Sequence, residues 1–169
     1  LPEVWYLYDD AGSALFEDIT KQPEYYLTST ELGILDAHAT DMARYPGEQL
    51  STPRAFPSVL VELGAGSGKK MRPIFDAEEC MSRADGQHDG RGDHVTTRVT
   101  TTYVAADYSA SALEENATVY NSFSTTRPHF MKMRSFVGTN DDAIERMSEL
   151  EGRKTFVYLG SSLGNDVDP

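Results

Sequence analysis

Apolar residues recur at helical spacing in two segments near the start of the chain. The first predicts a short helix from Ala14 to Thr20, since Ser13 is placed to cap it and Pro23 follows it. The second predicts a helix from Thr28 to Tyr45, because its first turn has the spacing of a capping box. Residues 46–57 are rich in proline, glycine and polar side chains, and we interpret them as a linker.

Beyond this linker, short apolar runs alternate with stretches of helical spacing. The apolar runs predict strands at Val59–Leu63, Val99–Ala106, His129–Val137 and Phe156–Leu159. The stretches between them predict helices at about Lys69–Met81, Ser109–Asn121 and Asp141–Leu150. This alternation is typical of a parallel, doubly wound α/β sheet. We therefore predict a helical segment over residues 1–57 and a Rossmann-like domain over residues 58–169, with a charged, glycine-rich surface insertion at 83–94.

Composition and net charge limit the classes of protein and of binding partner that fit this chain. The chain has 169 residues and a formal net charge of -12, so we expect no nucleic acid as partner. It has neither an apolar run long enough to span a membrane nor a signal-peptide pattern at its start. Cys80 is its single cysteine, which suits a reducing compartment, and we expect a cytoplasmic protein. We predict no metal site.

The turn after the first predicted strand carries the strongest chemical signal. Glycines at 64, 66 and 68 follow Glu62, and two lysines come next. Glycines at a strand-to-helix turn allow close approach of the backbone to a ligand. Asp107 ends the second predicted strand, where a carboxylate is placed to accept hydrogen bonds from ribose hydroxyls. Together these positions predict a nucleotide-type cofactor.

Two cofactor classes are compatible with this turn. A dinucleotide would place its pyrophosphate on the helix that follows, as in a nicotinamide-dependent oxidoreductase. A cationic sulfonium with an amino-acid tail would instead make use of the acidic Glu62. The second class favours a methyltransferase, and the oxidoreductase stays as the alternative.

Four segments give the chain a wider resemblance to a known family. They are Tyr8-Asp9-Asp10-Ala11-Gly12-Ser13-Ala14-Leu15-Phe16, Pro23-Glu24-Tyr25-Tyr26-Leu27-Thr28, Val61-Glu62-Leu63-Gly64-Ala65-Gly66-Ser67-Gly68-Lys69-Lys70 and Leu159-Gly160-Ser161-Ser162-Leu163-Gly164-Asn165. In these segments the chain resembles the histidine-specific, S-adenosylmethionine-dependent methyltransferases, whose founding activity is Nα-trimethylation of histidine in ergothioneine biosynthesis. The resemblance runs from end to end apart from residues 83–94, and Gly138-Thr139 and Gly160-Ser161-Ser162 look like the eukaryotic branch.

The resemblance implies roles for particular residues. It assigns the amino-acid pocket to Tyr8, Tyr25 and Asn165. Together with the glycine turn, it gives the set expected to bind S-adenosylmethionine as Glu62, Gly64, Gly66, Gly68, Lys70, Asp107, Gly138 and Thr139. Thr139 stands where bacterial members have an aspartate. No side chain is assigned a direct catalytic role, since in-line methyl transfer depends mainly on alignment.

The resemblance also implies an activity, and it implies which part of the whole protein this chain represents. We expect N-methylation of the α-amino group of L-histidine in ergothioneine biosynthesis. The alternatives are a methyltransferase of ovothiol or prenylated-tryptophan alkaloid pathways, or a fragment that binds the cofactor without turnover. The family has further strands and a second substrate-shaping lobe, so we expect this chain to be the N-terminal portion, with an incomplete sheet and a further domain in the full-length protein.

Overall fold

The structure is a computed structural model that describes residues 9–48, 59–77, 80, 101–124 and 131–160. Its helices are α1 (Asp10–Thr20), α2 (Tyr26–Glu48), α3 (Ala110–Ser124) and α4 (Asn140–Ser148), and residues 72–77 are also helical. Its strands are β1 (Val59–Leu63), β2 (Thr101–Asp107), β3 (Met131–Val137) and β4 (Lys154–Tyr158). The predicted order of elements is confirmed over these ranges.

Helix α1 begins earlier than its apolar pattern predicts. Asp9, and not Ser13, is the N-cap, and its carboxylate accepts a hydrogen bond from the Gly12 amide at 2.8 Å. An acidic cap satisfies a free amide and also interacts favourably with the positive end of the helix dipole. The helix ends at Thr20, as predicted from Pro23.

The other boundaries differ from the prediction by a few residues. Helix α2 begins at Tyr26 and extends through Glu48, so residues 46–48 are helical and do not belong to a linker. The helix after β1 begins at residue 72, since residues 69–71 form turns. Strand β2 extends through Asp107, whose backbone pairs with Val137 of β3. The prediction for residues 83–94 lies outside the described residues.

The strands form one parallel sheet in the order β3-β2-β1-β4. The central strand β1 is buried along its whole length, and its Val61 pairs with Val104 on one side and Phe156 on the other. Parallel pairing brings the carboxyl ends of all four strands to the same edge, which is where open α/β sheets bind ligands. The predicted α/β, Rossmann-like fold is thereby confirmed.

Each face of the sheet is covered by helices. One face packs against α2, α3 and the helical residues 72–77, with a core made of Leu35, Ala43, Leu60, Ala65, Met71, Ile74, Phe75, Tyr103, Ala105, Leu113, Tyr120 and Met131. The other face packs against α4, with a core made of Val59, Val61, Leu63, Val104, Ala106, Ala143 and Met147. Coverage of both faces explains why the inner strand β1 reads as a nearly continuous apolar run. The division into domains at residue 57 stays a prediction.

None of the helices within the described ranges has the length and apolar character needed to cross a membrane.

Candidate functional site

The turn after β1 is open toward solvent at two of its glycines. Gly64 and Gly66 have φ angles of 66° and 50°, a region that side chains rarely adopt. A Cβ added at either position would meet no atom within 4 Å, so space lies directly over the backbone. Gly68, with φ 76°, is buried and faces the inside of the protein instead. The first two glycines therefore offer the accessible backbone that a ligand needs.

Asp107 holds this turn against the end of β2. One carboxylate oxygen accepts a hydrogen bond from the Gly66 amide at 2.9 Å, and the other accepts one from the Ser109 amide at 2.9 Å. The Ala65 amide also donates to the Ala106 carbonyl at 3.0 Å. Because each carboxylate oxygen can accept more than one hydrogen bond, Asp107 can still receive hydroxyl donors from a ligand.

Glu62 lies beneath the turn and not on its surface. Its side chain is 1% exposed, and the Tyr103 hydroxyl donates a hydrogen bond to one of its oxygens. Burial raises the pKa of Glu62 to about 8, against the opposing effects of the Tyr103 hydrogen bond and the nearby Lys70 charge. Burial likewise raises the pKa of Tyr103 well above its ordinary value. Glu62 is therefore largely uncharged at neutral pH.

The interpretation of the sequence missed Tyr103 and Asn116, which complete this buried polar group. Asn116 is 1% exposed and donates to the Tyr103 hydroxyl at 3.4 Å. A signal was present, since Asn116 is a polar residue on the apolar face that Leu113 and Tyr120 define at helical spacing. A buried amide on such a face requires hydrogen-bond partners.

Lys70 connects the turn to two other elements. Its ammonium group forms an ion pair with Glu31 of α2 at 2.8 Å. A Cβ added at Gly160, where φ is 108°, would lie 2.8 Å from the same nitrogen. Lys70 thus lies against the chain that follows β4, where the positive φ of Gly160 favours glycine. This places a positive charge at the same edge of the sheet as Asp107.

Gly138 and Thr139 follow β3 at this edge. The Gly138 amide donates to the Asp107 carbonyl at 3.1 Å, which joins the ends of β2 and β3. The Thr139 hydroxyl accepts a hydrogen bond from the Asp142 amide at 2.9 Å and caps α4. The structure therefore brings together the carboxyl ends of β1, β2 and β3, as the sequence predicts for the cofactor-binding set.

Helix α1 is attached to this edge by two carboxylates on one of its faces. Asp10 accepts hydrogen bonds at 2.8 Å from the hydroxyls of Ser109 and Ser111, at the start of α3. These two serines, with the Ser111 amide, lower the pKa of Asp10. Seven residues on, Glu17 forms an ion pair with Lys69 at 2.9 Å. The interpretation of the sequence missed these contacts, because they join segments far apart in the chain.

The residues predicted for the amino-acid pocket are only partly described. Tyr25 precedes α2, is half-buried, and packs edge-on against Phe16 with ring centroids 5.9 Å apart. Tyr8 and Asn165 lie outside the described residues. Whether these three side chains meet at one pocket stays a prediction.

The arrangement suits a ligand that carries hydroxyl donors and a cationic end. Asp107 provides acceptors, Gly64 and Gly66 provide exposed backbone, and Glu62 provides a carboxyl group whose ionised form a nearby cation would stabilise. These features fit S-adenosylmethionine, which has ribose hydroxyls, an ammonium group and a sulfonium.

The pH dependence of stability follows from the raised pKa of Glu62. A carboxyl group whose pKa rises from 4.5 to about 8 on folding binds its proton more tightly in the folded state, so its contribution to stability is lost progressively as the pH rises between these two values. Glu62→Gln keeps an acceptor for Tyr103 and removes the titration. We expect the free energy of unfolding of the variant, relative to the unsubstituted whole protein, to rise by about 1–3 kcal/mol between pH 5.5 and pH 8.5.

Thermal or urea unfolding at the two pH values measures this difference. Glu145→Gln, at an exposed position on α4, is the control and should show the same small difference at both pH values. A pH-independent difference for Glu62→Gln would show that Glu62 is already ionised.

Comparison with known proteins places this architecture in a family. A family described as "Histidine-specific methyltransferase, SAM-dependent" matches residues 1–169, the whole chain. This match removes the nicotinamide-dependent oxidoreductase as an interpretation of the glycine turn.

Individual relatives agree with the family match. The chain is 33% identical to a histidine N-alpha-methyltransferase of Mycobacterium tuberculosis, over 98% of this chain and 42% of that protein. It is 30% identical to ergothioneine biosynthesis protein 1 of Neurospora crassa, over 94% of this chain and 15% of that protein. It is also 30% identical to the N-methyltransferase dtpB of Aspergillus flavus, over 94% of this chain and 39% of that protein. The chain thus spans less than half the length of these relatives.

The predicted membership is confirmed by these matches: the chain belongs to the family of histidine-specific, SAM-dependent methyltransferases.

Proposed function

We propose that this chain forms the cofactor-binding part of an S-adenosylmethionine-dependent methyltransferase that acts on the α-amino group of L-histidine, in ergothioneine biosynthesis. The observation that carries the proposal is the meeting of an open glycine turn with the Asp107 carboxylate at the carboxyl edge of a parallel sheet. The relatives named for histidine methylation and for ergothioneine biosynthesis support the choice of reaction.

The residues that we propose for cofactor binding contact different parts of the cofactor. Asp107 accepts the ribose hydroxyls, and the open backbone at Gly64 and Gly66 faces the methionine part. The remaining members are Glu62, Gly68, Lys70, Gly138 and Thr139. Glu62 acts from beneath the turn as a carboxyl group that the cofactor's cationic end converts to its charged form. Gly138 and Thr139 lie on the adenine side, at the end of β3.

Catalysis in this proposal depends on alignment. The cofactor supplies an electrophilic methyl group when bound. The protein must hold an unprotonated amine in line with that methyl group, and holding two reactants in a reactive geometry contributes a large share of the acceleration. Tyr8, Tyr25 and Asn165 are the residues we assign to the amino-acid end of the substrate. They orient the amine and carry no covalent step.

The substrate is a small molecule, and further residues complete its pocket. Contacts to the α-amino and α-carboxylate groups select a free amino acid over a peptide, but they do not read the side chain. We assign imidazole recognition to a further domain, in keeping with the greater length of the relatives. A cytoplasmic location and the eukaryotic-like branch are part of the same proposal.

A second acceptor class remains in view because the matches include N-methyltransferases that are not named for histidine. The proteins dtpB and imqF of Aspergillus flavus are 30% and 27% identical to this chain. The alternative acceptor in our proposal is a prenylated tryptophan or an ovothiol-pathway amine. A cofactor-binding protein without turnover is the third possibility.

One incubation separates these possibilities. The whole protein is incubated with methyl-labelled S-adenosylmethionine and a panel that contains histidine, tryptophan, a prenylated tryptophan and a histidine–cysteine adduct. We expect label on histidine, in up to three steps on the same nitrogen. Labelling of another member alone would replace the acceptor, and cofactor binding without any labelled product would leave a binding protein.

Asp107→Ala is expected to weaken the binding of S-adenosylmethionine by about 1–3 kcal/mol, the usual cost of a hydrogen bond to a charged group. Calorimetry on the whole protein measures it. Asp36→Ala, at an exposed position on α2, removes the same group away from the sheet edge and should leave affinity unchanged. Equal affinity in both variants would remove Asp107 from the cofactor site.

Tyr25→Phe is expected to raise the KM of histidine more than that of S-adenosylmethionine. The change keeps the ring that packs on Phe16 and removes only the hydroxyl, which we assign to a charge-assisted hydrogen bond with the substrate. Steady-state kinetics with each substrate varied in turn measure the two constants. Tyr26→Phe, next in the chain and 65% exposed, is the matched control. An equal effect on both KM values would argue against substrate contact.

A further inference from the structure

Asn116 is a polar side chain buried in the layer between α3 and the sheet. It lies on the same face of α3 as Leu113 and Tyr120, and it is 1% exposed. A carboxamide costs free energy to bury unless its donors and acceptor are satisfied. An apolar residue of similar size would pack at such a position without that cost. The presence of an amide here calls for a specific partner.

The hydrogen bonds of Asn116 fix the orientation of its carboxamide group. Its amide nitrogen donates to the Gly66 carbonyl at 3.2 Å and to the Tyr103 hydroxyl at 3.4 Å, and Tyr103 in turn donates to Glu62. A carbonyl oxygen can only accept, so the nitrogen and not the oxygen of the carboxamide must face Gly66. Asn116 therefore joins the glycine turn to the buried pair beneath it.

The backbone of the turn also lies directly against this side chain. A Cβ added at Gly68 would be 2.7–2.9 Å from the atoms of the Asn116 carboxamide, and the φ angle of 76° disfavours any other residue there. The turn is thus held from below at two points, at Gly66 by a hydrogen bond and at Gly68 by close packing. Asp107 holds it at the sheet edge through the Gly66 amide.

We propose that Asn116 is a positioning residue for cofactor binding, which fixes the glycine turn in the shape that receives S-adenosylmethionine. It acts through the peptide groups on either side of Gly66: its amide holds the carbonyl from inside, while Asp107 holds the amide from the edge. This inference rests on the cofactor site given in the proposed function. It concerns affinity for the cofactor and predicts little effect on the amino-acid substrate.

Asn116→Asp is the sharpest test because it keeps the volume and replaces only the donor. An ionised carboxylate repels the Gly66 carbonyl, whereas a protonated one has a hydroxyl that can donate to it. We expect the KM of S-adenosylmethionine to rise by about 10-fold or more at pH 8.5, and to recover in part at pH 6. The KM of the amino acid should change less than about 2-fold, a shift of only a few tenths of a kcal/mol.

Several charged or titratable groups surround this position. Glu62 and Tyr103 face it from the sheet, Tyr120 lies on its own helix, and Arg72 comes from the helical residues 72–77. The titrations of Glu62, Tyr103 and Tyr120 are also present in the unsubstituted protein. The pH dependence is therefore taken as the ratio of the variant to the unsubstituted protein at each pH.

Controls separate positioning from folding. Asn116→Ala removes the donor at every pH and should raise the same KM without recovery at pH 6. Thr118→Ala, on the exposed face of the same helix, should match the unsubstituted protein. Thermal unfolding identifies a variant that has lost its fold, and direct binding of S-adenosylmethionine by calorimetry gives the affinity if turnover is too slow.

The outcomes distinguish this inference from the proposed function. Cofactor affinity in Asn116→Asp equal to that of the unsubstituted protein at both pH values would overturn the positioning role. An equal rise in both KM values would overturn it as well, since that is the effect of a general structural loss. Failure of the unsubstituted whole protein to bind S-adenosylmethionine would instead overturn the proposed cofactor site on which the role depends.

Discussion

The carboxyl edge of the sheet depends on one aspartate that holds three separate segments, two through its carboxylate and one through its backbone carbonyl. Asp107 accepts the Gly66 amide on one oxygen and the Ser109 amide on the other, while its own carbonyl accepts the Gly138 amide. The turn after β1, the start of α3 and the end of β3 are thereby fixed to the end of β2. Charge-assisted hydrogen bonds of this kind are among the stronger ones in proteins. The carboxylate that we assign to the cofactor's ribose thus also holds the surrounding segments together.

Further polar side chains stabilise the segments that Asp107 contacts. The Asp10 carboxylate caps the start of α3 through two serine hydroxyls, one of them on Ser109, so α1 contacts the residue whose amide Asp107 holds. Beneath the turn, the side chains of Asn116, Tyr103 and Glu62 form a continuous hydrogen-bonded chain. Helix α1 therefore contacts the carboxyl edge of the sheet, where we propose the cofactor binds, through hydrogen bonds and ion pairs, and none of its residues is buried.

Local patterns predicted much of the fold and less of the site. Strand β1 was predicted with its observed bounds because a short, mainly apolar run ends at a glycine turn. The predicted start of α1 was wrong by four residues. Serine is a common N-cap residue, which favoured Ser13, but the side chain that accepts the capping hydrogen bond is that of Asp9. Asp107 was found from its place after an apolar run. The burial of Glu62 and the contacts of Asn116 arise from the packing of helices against the sheet, which spacing along the chain does not record.

The register of the central strand has a consequence for the order of folding. Val59 pairs with Thr102 and also with Lys154, so both neighbours of β1 come later in the chain, and one comes much later. During synthesis on the ribosome, β1 and β2 can pair while the other edge of β1 still carries unpaired backbone groups. Closing such a long loop costs entropy before any contact is gained, and an open strand edge can recruit a neighbouring chain. The pairing of β4 thus covers this edge of β1 and ends the period in which that edge can recruit another chain.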